Sequence, residues 1–376
     1  MVTMRIALVH SFYRSEFSSG ENEVVRAQQR LLETAGHQVA LVGVETDELS
    51  ERPFYGPRTA ANLLRGRGWD PTPELREFGP DVVHVHNLFP NIATDWLSDW
   101  QGPLVATLHN YRMLCANGLL FRAGRDCTLC PDGHRWAGVR HGCYHDSSLA
   151  TVPVAVRTSH GLARQPLLAR ADRVILLSAR SLRTFSDYGL DTGRAALLPN
   201  GVAASVAPVP PTTASFLTLG RISPEKGLLE LAGSWPPGHR LDVYGSGPLS
   251  ERLAVQAPSA WTLKGHVPDV AAELARHVGA VFNGRNREGA YPLAVVEAMA
   301  AGLPVIARAG GAAADLVEQY DCGVTYASER ELLEALDEVA ADPRGPYSQA
   351  GRDAWRRDFR PEAWLTGLEA LYEALL

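Results

Sequence analysis

Short apolar runs alternate along this chain with polar or glycine-bearing loops and with longer stretches of helical spacing. Met4–His10 reads as a β-strand. It is followed by SFYRSEFSSGENE, a helix from about Asn22 to Ala35 that stops at Gly36, and a second strand at Val39–Gly43. Strand, loop, helix and strand in that order open a parallel sheet with crossover helices. Asp81–His86, Leu104–His109, Arg173–Ser178 and Ala195–Pro199 read as further strands, and Glu51–Asp70, rich in Arg, Gly and Pro, as a mobile stretch. Ala203–Thr213, small and proline-rich, has the composition of a linker. Beyond it the pattern restarts, with strands at Ser215–Leu219, Leu241–Tyr244 and Trp261–Lys264. The last helix, Pro361–Leu376, carries Trp364, Leu368, Leu371, Tyr372 and Leu375 as an apolar stripe that suits docking on either half.

The stretch Val281–Gly311 is a strand, a tight loop, a helix, a Gly-Pro break, a second strand and a Gly-Gly turn. Proline at the first helical position and glycine past the end predict a helix from Pro292 to Gly302. That helix is apolar on nearly every side, which is the pattern of a buried element. Glu297 sits in its middle. A carboxylate there is costly unless a donor satisfies it. Two readings follow: a core ion pair with Arg or Lys, or hydrogen bonds accepted from ligand hydroxyls beside the helix. The loop Arg287–Tyr291 would offer backbone N–H groups to an anion.

Length and charge narrow the possibilities. With 376 residues there is room for two domains, and the net charge of −6 argues against nucleic-acid partners and broad anionic-membrane binding. No apolar run reaches transmembrane length, and MVTMRIALVH is too short a segment for a signal peptide, so the expected location is the cytoplasm.

Candidate chemistry lies at the carboxyl ends of the strands, where open α/β sheets bind ligands. GRISPEKG (Gly220–Gly227) follows a strand and opens a helix, and its Arg221 and Lys226 suit a diphosphate; a solvated pair on a surface loop is the plainer reading. No Asp-x-Asp pair is present to hold a metal on a diphosphate, and two fixed cations can do the same electrostatic work. His86 and His109 end two strands. The first loop lacks a dinucleotide fingerprint, but Gly20 would let backbone approach a phosphate.

GRISPEKG, GSGP, EGAYPLAVVEAMAAGLPVIA and the loop glycine after the first strand resemble the family-4 retaining glycosyltransferases of GT-B fold over nearly the whole chain. The resemblance implies two Rossmann-like domains facing each other across a cleft. They would be an acceptor-binding domain at 1–203 with a cysteine-rich insert at about 112–147, a linker at 204–213, a nucleotide-sugar domain at 214–355, and a closing segment at 356–376 that crosses back. It implies that Arg221 and Lys226 hold the donor diphosphate, Glu297 the ribose hydroxyls, and backbone near His266 and Val267 the base. Gly20 would bring N–H groups to the phosphates, and His109 would stand beside the transferred sugar. In such enzymes the leaving phosphate takes the acceptor proton on the face of attack, so no protein nucleophile and no catalytic-site cofactor are needed. The family places seven residues between a first glutamate and the one at Glu297, which puts the first at Gly289; Glu288 lies one residue further off. A one-residue bulge would restore Glu288 to that role, or the N–H groups of Gly289, Ala290 and Tyr291 would bind the donor alone.

The expected activity is transfer of a hexosyl or N-acetylhexosaminyl group from a nucleoside-diphosphate sugar, with UDP favoured, to a small-molecule or lipid-linked acceptor. A nucleotide-sugar 2-epimerase, a sugar phosphorylase or a non-catalytic sugar-nucleotide binder would share the fold. Cys115, Cys127, Cys130 and Cys143 fall within one segment and are candidate ligands of a structural zinc, with His134, His141 and His145 as substitutes; reduced thiols packing a subdomain are the alternative. Arg157, Arg164, Arg170 and Arg173 would decorate a helix after the insert, as a solvated face or a peripheral membrane contact.

Overall fold

The structure is a computed structural model that describes residues 3–15, 19–203, 209–267, 273–284 and 291–376. It divides into one unit of Met1–Arg122, Cys127–Pro199 and Leu365–Leu376, and another of Ala123–Asp126 and Asn200–Trp364.

The first unit is built on six parallel strands: β1 (Arg5–Phe12), β2 (Gln38–Glu45), β3 (Val82–Asn87), β4 (Leu104–Leu108), β5 (Arg173–Leu176) and β6 (Ala195–Leu197). Their order is β2-β1-β3-β4-β5-β6. Helices cover both faces of such sheets, which is why β4 is buried at every position and reads as a continuous apolar run. Helix α1 (Gly20–Thr34) follows β1; the Ser19 hydroxyl caps it by accepting the Asn22 N–H. Its buried residues Val24, Gln28 and Leu32 recur every four positions and form the stripe that packs.

Two expectations are corrected here. Part of Glu51–Asp70 is ordered as helix α2 (Tyr55–Arg65), closed by Gly66 with φ 70°. Its Pro57 lies in the first turn and Gly66 just past the end, so these residues mark the helix limits instead of a loop. The four arginines after the insert do not share a helix. Arg157 lies in α3 (Ser148–Thr158), Arg164 ends a single turn, Arg170 ends a short helix, and Arg173 opens β5. Gly161, at φ 76°, and Pro166 interrupt the run. Arg170 is committed to Asp172 and to the Trp100 carbonyl.

The end of the final helix (Pro361–Glu373) belongs to the first unit. Tyr372 is fully buried there, accepts from Gln28 Nε2 at 2.9 Å and donates to His84 Nδ1 at 2.7 Å. His84 Nε2 then donates to Thr107 Oγ1, 2.7 Å away. His37 Nε2 meets Glu369 at 3.0 Å.

The second unit repeats the plan with β7 (Ser215–Leu219), β8 (Arg240–Tyr244), β9 (Trp261–Gly265), β10 (Ala280–Phe282), β11 (Val305–Arg308) and β12 (Gly323–Tyr326). The order is β9-β8-β7-β10-β11-β12, so the winding reverses between β7 and β10. Helix α4 (Leu228–Gly233) follows β7, and α5 (Leu293–Ala300) joins β10 to β11. Pro292 takes the position before the first turn of α5, and Ala301 closes the helix before Gly302. The unit begins at Asn200 because the chain beyond it is already bound in: the Val202 N–H donates to the Phe359 carbonyl at 2.8 Å, and Trp355 Nε1 to the Val202 carbonyl at 2.7 Å.

Replacing Tyr372 with Phe removes a buried hydroxyl with two polar neighbours. The expected loss is about 1–3 kcal/mol, read as a lower urea midpoint for the first unit; an unchanged midpoint would contradict the pinning role.

Candidate functional site

At the carboxyl edge of the second sheet, three loops are held by direct backbone approach. Gly220 N–H donates to the Tyr244 carbonyl at 3.0 Å, Ile222 N–H to Ser246 at 2.9 Å and Leu249 N–H to Ile222 at 3.1 Å. GRISPEKG and GSGP are thus one interlocked structure. Gly245, at φ 126°, admits no side chain, because a Cβ would stand 2.0 Å from the Gly220 carbonyl oxygen. Gly227, at φ 66°, is pressed on Asn283 at the end of β10, whose Nδ2 donates to the Gly227 carbonyl at 2.7 Å. Asn283 is itself held by the Tyr326 hydroxyl at 2.6 Å. The loop after β7 is therefore fixed to the end of β10, the pair of strands between which the sheet order reverses.

Arg221 and Lys226 lie on this loop, the first exposed and the second half-buried. Lys226 closes the single turn Pro224–Lys226. Burial pushes its ammonium down to about 8; Glu225 opposes the shift and Arg221 adds to it. Such a pair repels itself and favours an anion between or beside it. His266 and Val267 follow β9 in irregular backbone, with His266 exposed. Glu288, Gly289 and Ala290 lie outside the described residues.

Glu297 sits on α5, with Val296 and Ala298 beside it buried. No hydrogen bond or ion pair reaches its carboxylate among the described residues. Burial alone raises its pKa, with no charged neighbour contributing. Of the two readings of this residue, the core ion pair finds no partner among the described side chains. Tyr291 packs its ring 6.1 Å from Phe359, and its hydroxyl is buried without a hydrogen-bond partner among the described residues.

The first unit gathers four histidines: His10 on β1, His84 and His86 on β3, and His109 just past β4. His84 stacks on His86 with centroids 4.3 Å apart, and His86 on His109 at 5.1 Å; His10 lies edge-on to His86 at 6.3 Å. His86 Nδ1 and His109 Nε2 share a hydrogen bond of 2.8 Å, while His86 Nε2 is buried without a partner. Burial is the leading cause of a lowered pKa in each, to about 4 for His10 and about 3 for His84 and His109, and their mutual repulsion keeps His86 and His109 low as well. All four are neutral at pH 7 and can each donate one proton and accept another.

Gly20 is the first residue of α1 and is exposed. Its neighbour Glu21 was not anticipated. Glu21 Oε2 accepts from Asn110 Nδ2 at 3.2 Å, and Oε1 is buried with no partner among the described residues. Burial raises this carboxyl to about 8, against the pull of Arg112 and the hydrogen bonds of Asn110 and Tyr13. Only its place beside Gly20 in the first helical turn could have marked it.

Cys115, Cys127, Cys130 and Cys143 line one small cavity together with His141. Burial, and then the neighbouring thiols, raise Cys130 and Cys143, the latter to about 11. All five cysteines are unpaired. Among the described residues no three His, Cys, Asp or Glu side chains converge closely enough to hold an ion, so the thiols share a cavity without a preformed tetrahedron.

The neutral histidines set a pH dependence. Each has a folded pKa below its unfolded value near 6.5, so the stability it contributes is intact above that pH and is lost as pH falls toward 4. The expected slope is about 1.4 kcal/mol per pH unit for each histidine. Urea unfolding of the first unit at pH 7.5 and 5.5 measures it, and equal stability at both values would contradict the buried, neutral cluster.

The family model described as Glycosyltransferase Family 4 matches residues 19–206, and that described as Glycosyl transferases group 1 matches residues 213–342. Comparison with curated proteins gives no match. Among solved structures, sucrose-phosphate synthase from Thermosynechococcus elongatus superposes with a TM-score of 0.69 at 17% identity, covering 99% of each chain. WaaG, a glycosyltransferase involved in lipopolysaccharide biosynthesis, gives 0.64 at 15% identity over 98% of this chain and 99% of its own. Anabaena Alr3699/HepE, solved in complex with UDP-glucose, gives 0.61 at 15% identity over 99% of this chain and all of its own, 100%. At these identities the likeness speaks for the fold, and the two sequence matches speak for the family. The chain is a glycosyltransferase of GT-B fold and belongs to the family-4 glycosyltransferases.

Proposed function

We propose that this enzyme transfers a hexosyl or N-acetylhexosaminyl group from a UDP-sugar to an acceptor hydroxyl with retention of configuration and with no metal at the diphosphate. The observation that carries the reading is the Glu297 carboxylate, which has no protein partner among the described residues and stands on the helix that follows β10. Ribose hydroxyls would donate to it and repay its burial. Arg221 and Lys226 would take the diphosphate at the end of β7, and backbone near His266 and Val267 the base. That HepE, of the same fold, was solved with UDP-glucose supports UDP as the nucleotide.

In the transfer, the bond from the anomeric carbon to the leaving phosphate oxygen breaks, and the bond to the acceptor oxygen forms on the same face. The acceptor proton passes to that phosphate oxygen. Charge grows on the leaving diphosphate, and the two cations stabilise it there. His109 is neutral and tied to His86 through Nε2, so its Nδ1 is left to meet a sugar hydroxyl. Gly20 would bring the N-terminus of α1 to the phosphates, and Glu288, Gly289, Ala290 and Tyr291 would complete the donor site. The reading includes a structural zinc on Cys115, Cys127, Cys130 and Cys143, which share one cavity but, among the described residues, would have to draw closer together to hold the ion. It also places the chain in the reducing cytoplasm. Among the described residues no helix is long and apolar enough to cross a membrane.

Three results test the reading. Arg221→Ala and Lys226→Ala should each weaken UDP binding by about 1.5–3 kcal/mol in calorimetry; unchanged affinity in both would remove the diphosphate assignment. His109→Asn should lower kcat far more than donor affinity, and sugar turned over from the donor with no acceptor present would replace transfer by another reaction. Native mass spectrometry should find about one zinc per chain; a folded, metal-free protein would exclude it.

A further inference from the structure

The first unit contains a cavity of about 100 Å³ beside His86 and His109. Leu63, Leu88, Ile92, Met113, Val154 and Leu167 give it an apolar side. Apolar cavities of about 150 Å³ hold one benzene ring, so this smaller one encloses a short alkyl chain or part of a single ring. It is not purely apolar. Arg157, half-buried on α3, lines it, and so does Thr94. Arg157 Nη2 donates to Thr94 Oγ1 at 2.9 Å. No carboxylate lies within ion-pair distance of the guanidinium among the described residues, and burial is the sole cause that draws its pKa below the usual arginine value.

A guanidinium held at an apolar wall without a counter-ion is costly. An anionic ligand removes that cost, and the planar fork suits a carboxylate or phosphate held by two parallel hydrogen bonds. His109 lines the same cavity, and its Nδ1, the ring nitrogen not tied to His86, can meet a hydroxyl. Anion, small apolar body and hydroxyl are thus each matched within one cavity of a single unit.

We infer that this cavity is the acceptor pocket and that the acceptor is a small amphipathic acid: one ring or a short alkyl chain carrying a hydroxyl and an anionic group, the anion bound by Arg157. The inference rests on the transferase reading, since it names the acceptor class for that reaction. It makes Arg157 a specificity residue, where the sequence pattern placed it on a solvated basic face.

Binding to the full-length protein tests it, by calorimetry or ligand-observed NMR. The probes are 3-(4-hydroxyphenyl)propanoate, its primary amide, acetate and farnesyl phosphate. The acid should bind at least tenfold more tightly than the amide, which lacks the charge, and than acetate, which lacks the ring. Arg157→Gln should bring the acid down to the level of the amide, with Arg157→Lys between the two. Val154→Trp, which fills the cavity and keeps the charge, should also abolish binding. Equal affinity of acid and amide for the parent, or an Arg157→Gln protein that holds the acid as before, overturns the assignment. Farnesyl phosphate bound more tightly than the acid overturns the size limit and makes the acceptor a lipid phosphate. UDP titrated into the same parent separates the two levels. If UDP fails to bind, the transferase reading falls; if UDP binds and the acid does not, only the pocket assignment falls.

Discussion

The site in the second unit depends on backbone approaching backbone where no side chain fits. Gly245 against the Gly220 carbonyl and Gly227 against Asn283 lock the loops after β7 and β8 to the end of β10. A Cβ at any of these contacts would force the loops apart. The contact exists because the sheet is parallel, so that successive loops emerge on one edge, and because its order reverses between β7 and β10. Everything the site offers a ligand follows from that lock: Arg221 and Lys226 on one loop, and α5 with Glu297 after the neighbouring strand.

Burial does different work in the two units. In the first it strips four histidines of charge and turns them into neutral hydrogen-bonding groups, one of which, His84, also anchors the final helix through Tyr372. In the second it leaves Glu297 with a raised pKa and no donor among the described residues, which is the state of a group awaiting a ligand.

Much of this was legible from the residues. Strands buried on both faces are plain apolar runs; β3, β4 and β7 lie within a residue of where those runs fall, and β1 within two. GRISPEKG declares itself because glycines and cations coincide at a strand end. What escaped was tertiary. Glu21 is hidden by Asn110, 89 positions away in the chain, and no local pattern reports that burial. Arg157 looked like one of four arginines on a solvated helix, but Gly161 and Pro166 break that helix and leave it alone at a cavity wall. Helix α2 was obscured by the Pro and Gly that bound it. The cysteines were seen as a group from their spacing, and they do share a cavity, but spacing could not say how closely they converge.

The central claim is that the locked loops and α5 form the nucleotide-sugar site. Hydrogen exchange of the intact protein with and without UDP reads that directly, since a ligand held by these segments slows the opening of their amides. The account predicts slowed exchange within Gly220–Gly227 and along Leu293–Ala301. Unchanged exchange at both segments at saturating UDP, or protection confined to the first unit, would contradict it.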